Sequence, residues 1–248
     1  VFSRPLSLKH PGLFVTGSDT GVGKTVVTCA IAHHLCQSMR VGVCKPLASG
    51  CRCEGGQLIS DDALALMRYG GGDWPMDVVC PLRFGPAVAP AAATDARLDI
   101  DAIAESLQTL DRGCDVLLIE GIGGLLVPID PHDAARTVLD LIIAVGYPVL
   151  IVTRAGLGTL NHTAMTVQLL RQAGCRLAGL VVNGQDSDSD DVSMASNRRW
   201  LARITGLPIL VTVPWLAGDD VVAHAGRIAP AILEAVGRCH WLSVAGSC

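Results

Sequence analysis

Short unbroken apolar runs alternate with longer stretches of helical spacing along the whole chain. The runs lie at residues 13–16, 41–44, 116–119, 149–153, 177–182 and 209–213 and are built mainly from Val, Leu and Ile. Runs of that length without polar alternation predict strands covered on both faces, as in parallel sheets. The segments between them predict helices at about 24–39, 62–69, 100–111, 134–145, 161–172, 192–205 and 221–236. This alternation predicts an α/β fold: a doubly wound, mainly parallel sheet of about seven strands with helices on both faces. No linker or internal repeat divides the chain, so residues 1–248 are expected to form one domain, with 1–11 and 237–248 at its periphery.

Two segments break the rhythm. FGPAVAPAAA at 84–93 carries two prolines and is expected to be a structured loop, and QDSDSDD at 185–191 holds four aspartates. The second lacks the internal glycine and closing glutamate of a calcium loop, so a solvated surface loop is expected.

Composition narrows the class. Half of the 248 residues are hydrophobic and the mean hydropathy is +0.44, which excludes a disordered chain. The longest apolar stretch, 141–152, has 12 residues and contains Gly146 and Pro148, whereas a spanning helix needs roughly 20. No membrane span is expected. The formal charge of −4 argues against a nucleic-acid binder. The ten cysteines form no CxxC pair, so reduced thiols in a cytoplasmic protein are expected rather than a metal set.

The strongest chemical signal is GSDTGVGKT, from Gly17 through Thr20, Gly21, Val22, Gly23 and Lys24 to Thr25. It follows an apolar strand and opens a helix, the context of a phosphate-binding loop. Glycines let backbone N–H groups point into an anion-sized hollow, and the helix N-terminus adds partial positive charge. Lys24 would reach the terminal phosphates of a nucleotide and the Thr25 hydroxyl would ligate Mg²⁺. Gly17 lies six residues before Gly23, one more than in the usual G-x4-G-K-T spacing. The fold expected is therefore P-loop NTPase-like.

In an open parallel sheet, ligands sit beyond the carboxyl ends of the strands. Lys45 follows the second strand in KPLASG, and a second lysine on the phosphate rim would neutralise a transferring phosphoryl group or a substrate anion, or else is an exposed surface lysine at a strand end. Glu120, with Gly121, Ile122 and Gly123, ends the third, and a carboxylate there suits metal beside phosphates or a structural ion pair. Asp62 opens a helix, where capping accounts for either Asp61 or Asp62. Capping is also the default reading of Asn161. Asn183 ends the fifth strand, where its amide would read a base edge or simply turn the chain. Pro214, Trp215 and Leu216 follow the last strand and either wall the base or redirect the chain. His162 has no partner that spacing identifies.

Taken in order, GSDTGVGKT, CKPLASG, SDDALAL, IEGIGGLLVP, GLGTLNH, VVNG and VPWL resemble the dethiobiotin synthetase family, over about residues 12–216. The resemblance implies an ATP- and Mg²⁺-dependent ligase that joins 7,8-diaminopelargonate and CO₂ into dethiobiotin, releasing ADP and phosphate through a carbamate and a carbamic–phosphoric anhydride. It makes Lys45 the catalytic lysine, with Lys24 beside it. Thr20 and Ser49 would bind the substrate head, and Thr25, Asp62 and Glu120 would hold Mg²⁺. Gly21, Val22, Gly23, Gly121, Ile122 and Gly123 would line the nucleotide, while Asn183, Gly184 and residues 214–216 would hold the adenine. Gly156, Leu157 and Asn161 would contact substrate across the interface of a homodimer.

Three positions depart from the family pattern. Gly21 stands where some members have Glu, Gly184 where an acidic residue often follows the Asn, and Val221 where some have an acidic nucleotide contact. Two other readings are disfavoured. A cobyrinate-type amide synthase would need an added glutaminase domain, for which the chain offers no room. A partitioning ATPase of the ParA/MinD kind carries a second lysine inside the loop, where this chain has Asp19.

Overall fold

A computed structural model describes residues 5–186, 189–216 and 227–246. Six strands form the central sheet: β1 (Gly12–Gly17), β2 (Val41–Cys44), β3 (Val116–Glu120), β4 (Val149–Arg154), β5 (Leu177–Gln185) and β6 (Ile209–Pro214). Their order is β6-β5-β4-β1-β3-β2, and every pairing is parallel.

The apolar runs form strands because both faces are covered. Along β1, Leu13 and Val15 enter one hydrophobic cluster and Phe14 the other, the period-2 alternation of a pleated strand. Helices α1 (Lys24–Leu35) and α2 (Asp61–Gly70) cover the first face. On the second lie α3 (Ile100–Gly113), α4 (Val138–Val145), α5 (Thr159–Gln172) and α6 (Met194–Thr205). In α3, Ile103, Leu107 and Leu110 recur at helical spacing and are fully buried, and the Asp99 carboxylate accepts from Ala102 N at 3.0 Å to cap its start.

Several expectations need correction. The central sheet has six strands among the described residues, not about seven. Other extended segments pair off it instead: Leu47–Ala48 with Leu82–Arg83, Arg52–Glu54 with Gln57–Ile59, and Pro128–Asp130 with Asp133–Thr137. That last hairpin also shortens the helix expected from 134, which begins at Val138. α5 begins at Thr159 after Gly158, so Asn161 lies inside its first turn and caps nothing. The first part of the helix expected at 221–236, including Val221, lies outside the described residues. Its remainder is α7 (Pro230–Gly237).

The described residues near the two ends pack against the core. Leu6 and Leu8 pack on the second cluster, and the Lys9 and His10 amides donate to Asp111. Trp241, opening α8 (Trp241–Gly246), is 1% exposed in the first cluster and donates its indole N–H to Val236 O at 2.8 Å. The indole's apolar area offsets the cost of ordering the segment, and its N–H is satisfied.

Candidate active site

The phosphate loop leaves β1 at Gly17 and enters α1 at Lys24. Gly23 sits at the helix start with φ +91°, a left-handed conformation that favours glycine. Lys24 is nearly buried and donates to Asp19 O at 3.1 Å. Burial lowers its pKa and the neighbouring Lys45 adds to this, against the pull of Glu120, Asp62 and Asp19, leaving it at about 8.

A cavity of about 490 Å³ opens over the loop at the carboxyl ends of β1, β2 and β3. Its floor is Thr20, Gly21, Gly23, Lys24 and Thr25, and its wall includes Lys45, Ser49, Asp62, Glu120, Ile122, Gly123, Asn183 and Trp215. Residues that are distant in sequence therefore meet over one hollow, as the strand-end rule anticipates.

Lys45 is buried at the end of β2. Its ammonium donates to Glu120 Oε1 at 2.6 Å and to Gly121 O at 3.2 Å, and stands 3.0 Å from Asp62 Oδ2. Burial by itself depresses the ammonium, but Glu120 and Asp62 outweigh it and hold Lys45 above the usual lysine range. Burial raises the Asp62 carboxyl in turn, and Lys45, Thr25 and Lys24 outweigh that and keep its pKa low. Both groups are thus charged at neutral pH.

The Thr25 hydroxyl lies 2.8 Å from Glu120 Oε1 and 3.1 Å from Asp62 Oδ1, and its one proton serves either. Glu120 is fully buried, and its other oxygen, Oε2, has no hydrogen-bond partner among the described residues. An orphaned carboxylate oxygen beside a second carboxylate and a hydroxyl suits a hard divalent cation, which Mg²⁺ sites commonly complete with phosphates and water. The residues present fit Mg²⁺.

Capping does not occupy Asp62. Ser60 caps α2, its hydroxyl accepting from Ala63 N at 3.2 Å. Asp61 turns away to Arg52 at 2.8 Å, and Asp62 turns into the cavity.

Other expected residues are distributed unevenly. Gly121 contributes its carbonyl to Lys45. Asn183 belongs to β5, which runs on to Gln185, so it is not a turn residue. A neighbouring hollow of about 380 Å³ shares Gly21, Asn183 and Trp215 with the first and adds Val22, Gly184, Gly156 and Arg154. Pro214 and Leu216 line neither cavity; Leu216 packs on the first hydrophobic cluster. Leu157 is 81% exposed and donates its amide to Asp191 at 2.8 Å, and Asn161 is exposed on α5 outside both hollows.

Two residues escaped the reading of motifs. Arg154 donates to Thr20 O at 3.3 Å, and His162 Nδ1 lies 3.5 Å from Asp19 Oδ2, so both brace the outer side of the phosphate loop. Arg154 ends a strand, and that position was its only signal.

A family model described as an AAA domain, AAA_26, matches residues 11–220. The ATP-dependent dethiobiotin synthetase BioD of Anaeromyxobacter dehalogenans (strain 2CP-C) is 40% identical over 229 residues, covering 90% of this chain and 97% of its own. That of Mycobacterium leprae (strain Br4923) is 38% identical over 210 residues, covering 83% and 87%. Among solved structures, the septum site-determining protein MinD of Pyrococcus horikoshii OT3, complexed with Mg-ADP, matches with TM-score 0.56 at 17% identity, covering 93% of this chain and 94% of its own. A ParA family ATPase of Chlorobium tepidum TLS matches with TM-score 0.58 at 13% identity, covering 95% and 98%. At those identities the likeness is one of fold. The sequence relatives carry the assignment further: the chain belongs to the ATP-dependent dethiobiotin synthetase family.

Proposed function

We propose that this chain is an ATP- and Mg²⁺-dependent ligase that closes a cyclic urea, converting 7,8-diaminopelargonate, CO₂ and ATP into dethiobiotin, ADP and phosphate. The observation that carries the reading is the meeting of Lys24 and Lys45 in one cavity with Thr25, Asp62 and Glu120. Two lysines over one hollow suit a reaction in which two anionic groups, a phosphoryl and a carbamate, meet.

One amine adds to CO₂, loses a proton and becomes a carbamate. A carbamate oxygen attacks the γ-phosphorus and the bond to ADP breaks, giving the mixed anhydride. The second amine attacks the carbamoyl carbon, phosphate leaves with the C–O electron pair, and the amine proton is released. Lys24 and Lys45 hold the phosphoryl and carbamate oxygens as their charge rises, Lys45 exchanging its longer contact with Gly121 O for one of them, so they act electrostatically. Thr20 and Ser49 would orient the diamine head. Bound Mg²⁺, held by Thr25, Asp62 and Glu120, would neutralise phosphate charge. Asn183, Gly184 and Trp215 would hold the base.

Leu157 and Asn161 face solvent rather than their own cavity, which supports a homodimer in which they reach the partner's substrate. All nine cysteines among the described residues are unpaired and no described helix is long and apolar enough to cross a membrane, which supports the cytoplasm as the compartment.

The test is phosphate release by the purified protein with Mg-ATP. Release that requires both diaminopelargonate and bicarbonate is expected. ATP turnover indifferent to the diamine refutes the assignment.

A further inference from the structure

We infer that Asn183 is a positioning residue for the phosphate loop, setting the direction of a backbone donor independently of any contact with a base. The Asn183 Nδ2 donates to Val22 O at 3.0 Å across 161 residues of sequence. It lies against Gly23 so closely that a methyl group there would stand 2.0 Å from Nδ2.

Val22 O and the Gly23 N–H belong to one planar trans peptide, so they point in opposite directions. Fixing the carbonyl on Asn183 therefore fixes the amide hydrogen on the other side. Gly23 can adopt widely different φ values at little cost, and in this structure it has φ +91°. Without an anchor the Val22–Gly23 peptide is free to turn over, which would direct a carbonyl lone pair at an incoming anion. The Asn183 amide selects the anion-binding orientation.

Its own position is rigid. Within β5, Asn183 is paired with Arg154 of β4 and Val213 of β6, and its carbonyl accepts from Ala155 N at 3.0 Å. The Gly23 carbonyl belongs to the next peptide, where Val27 N donates to it at 3.1 Å, so a loosened Gly23 φ is felt at the first hydrogen bond of α1. The inference rests on the nucleotide reading only for the choice of probe.

The test compares Asn183→Ala, and Asn183→Leu, which fills the same space without a donor, against the parent protein. Two quantities are measured: affinity for Mg-tripolyphosphate, which has no base, beside affinity for Mg-ATP, and hydrogen exchange at the Val27 amide without ligand. Loss of one such hydrogen bond predicts that tripolyphosphate affinity falls about five- to tenfold in both variants, and ATP affinity by at least that factor. Exchange at Val27 accelerates in parallel. Unchanged tripolyphosphate affinity and unchanged exchange, whatever happens to ATP, overturn the inference. A parent protein that ignores tripolyphosphate counts against the nucleotide reading instead, and the exchange measurement then decides this one alone. If Asn183→Ala melts early, the Leu variant decides by both readouts.

Discussion

Lys45 and Glu120, 75 residues apart, form an ion pair of 2.6 Å in which the two side chains are 4% and 0% exposed. Neither charge has water to fall back on. Removing Lys45 leaves Glu120 buried and uncompensated, at a cost of about 3–5 kcal/mol, whereas removing the Glu120 charge leaves Lys45 its second partner, Asp62, at 3.0 Å. Lys45→Met should lower unfolding free energy by an amount of that order, Glu120→Gln by less, and the double variant by clearly less than their sum. Denaturant unfolding of all four proteins closes the cycle, and additive losses would show that the pair is not coupled.

The same lysine separates chemistry from nucleotide binding. Lys45→Ala should cut diamine-dependent phosphate release by about 100-fold or more. Mg-ATP affinity, which rests on the loop and Lys24, should stay largely intact by calorimetry. Turnover equal to the parent's would remove Lys45 from the mechanism.

Thr153 is the hub of a buried hydroxyl cluster. Its Oγ1 lies 2.9 Å from Ser18, 2.6 Å from Thr159 and 2.7 Å from Thr163, tying the start of the phosphate loop to the first turn of α5. One hydroxyl can donate once and accept twice, so all three bonds are satisfied together. Thr153→Val keeps the shape and removes all three bonds, leaving Thr159 and Thr163 only each other at 3.5 Å, which should cost about 1–3 kcal/mol. Thr153→Ser should recover most of it in the same unfolding assay.

At the opposite end of the strands, Arg40 donates to Asp115 at 2.6 Å. Hydrogen bonds from the Arg40 side chain and backbone hold the Asp115 carboxyl at about 2, below its ordinary value of 3.8. A carboxyl lowered by folding adds stability that is complete above its unfolded pKa and disappears as pH falls through the folded one. Melting temperatures of the parent and Asp115→Asn should therefore differ at pH 7 and converge between about pH 4 and pH 2. A constant difference across that window would show that the ionised carboxylate is not the stabilising species.

The order of strands and helices was legible because a strand covered on both faces must be continuously apolar, and the runs at 13–16 and 149–153 say so directly. GSDTGVGKT was legible for a related reason: the backbone must curl around an anion within a few residues, so glycines, lysine and threonine sit in one short string. Tertiary structure decided what depends on direction. Asp61 and Asp62 are indistinguishable as letters, and only the cap supplied by Ser60 and the reach of Arg52 show which faces the cavity. Residues 133–137 carry no mark that separates them from the helix after them; pairing with 128–130 makes them a strand. Asn183 could be placed at a strand end from its neighbours, but its grip on Val22 joins points 161 residues apart. Local spacing records short-range geometry, whereas contacts of that span exist only after the sheet has brought β1 and β5 to the same rim.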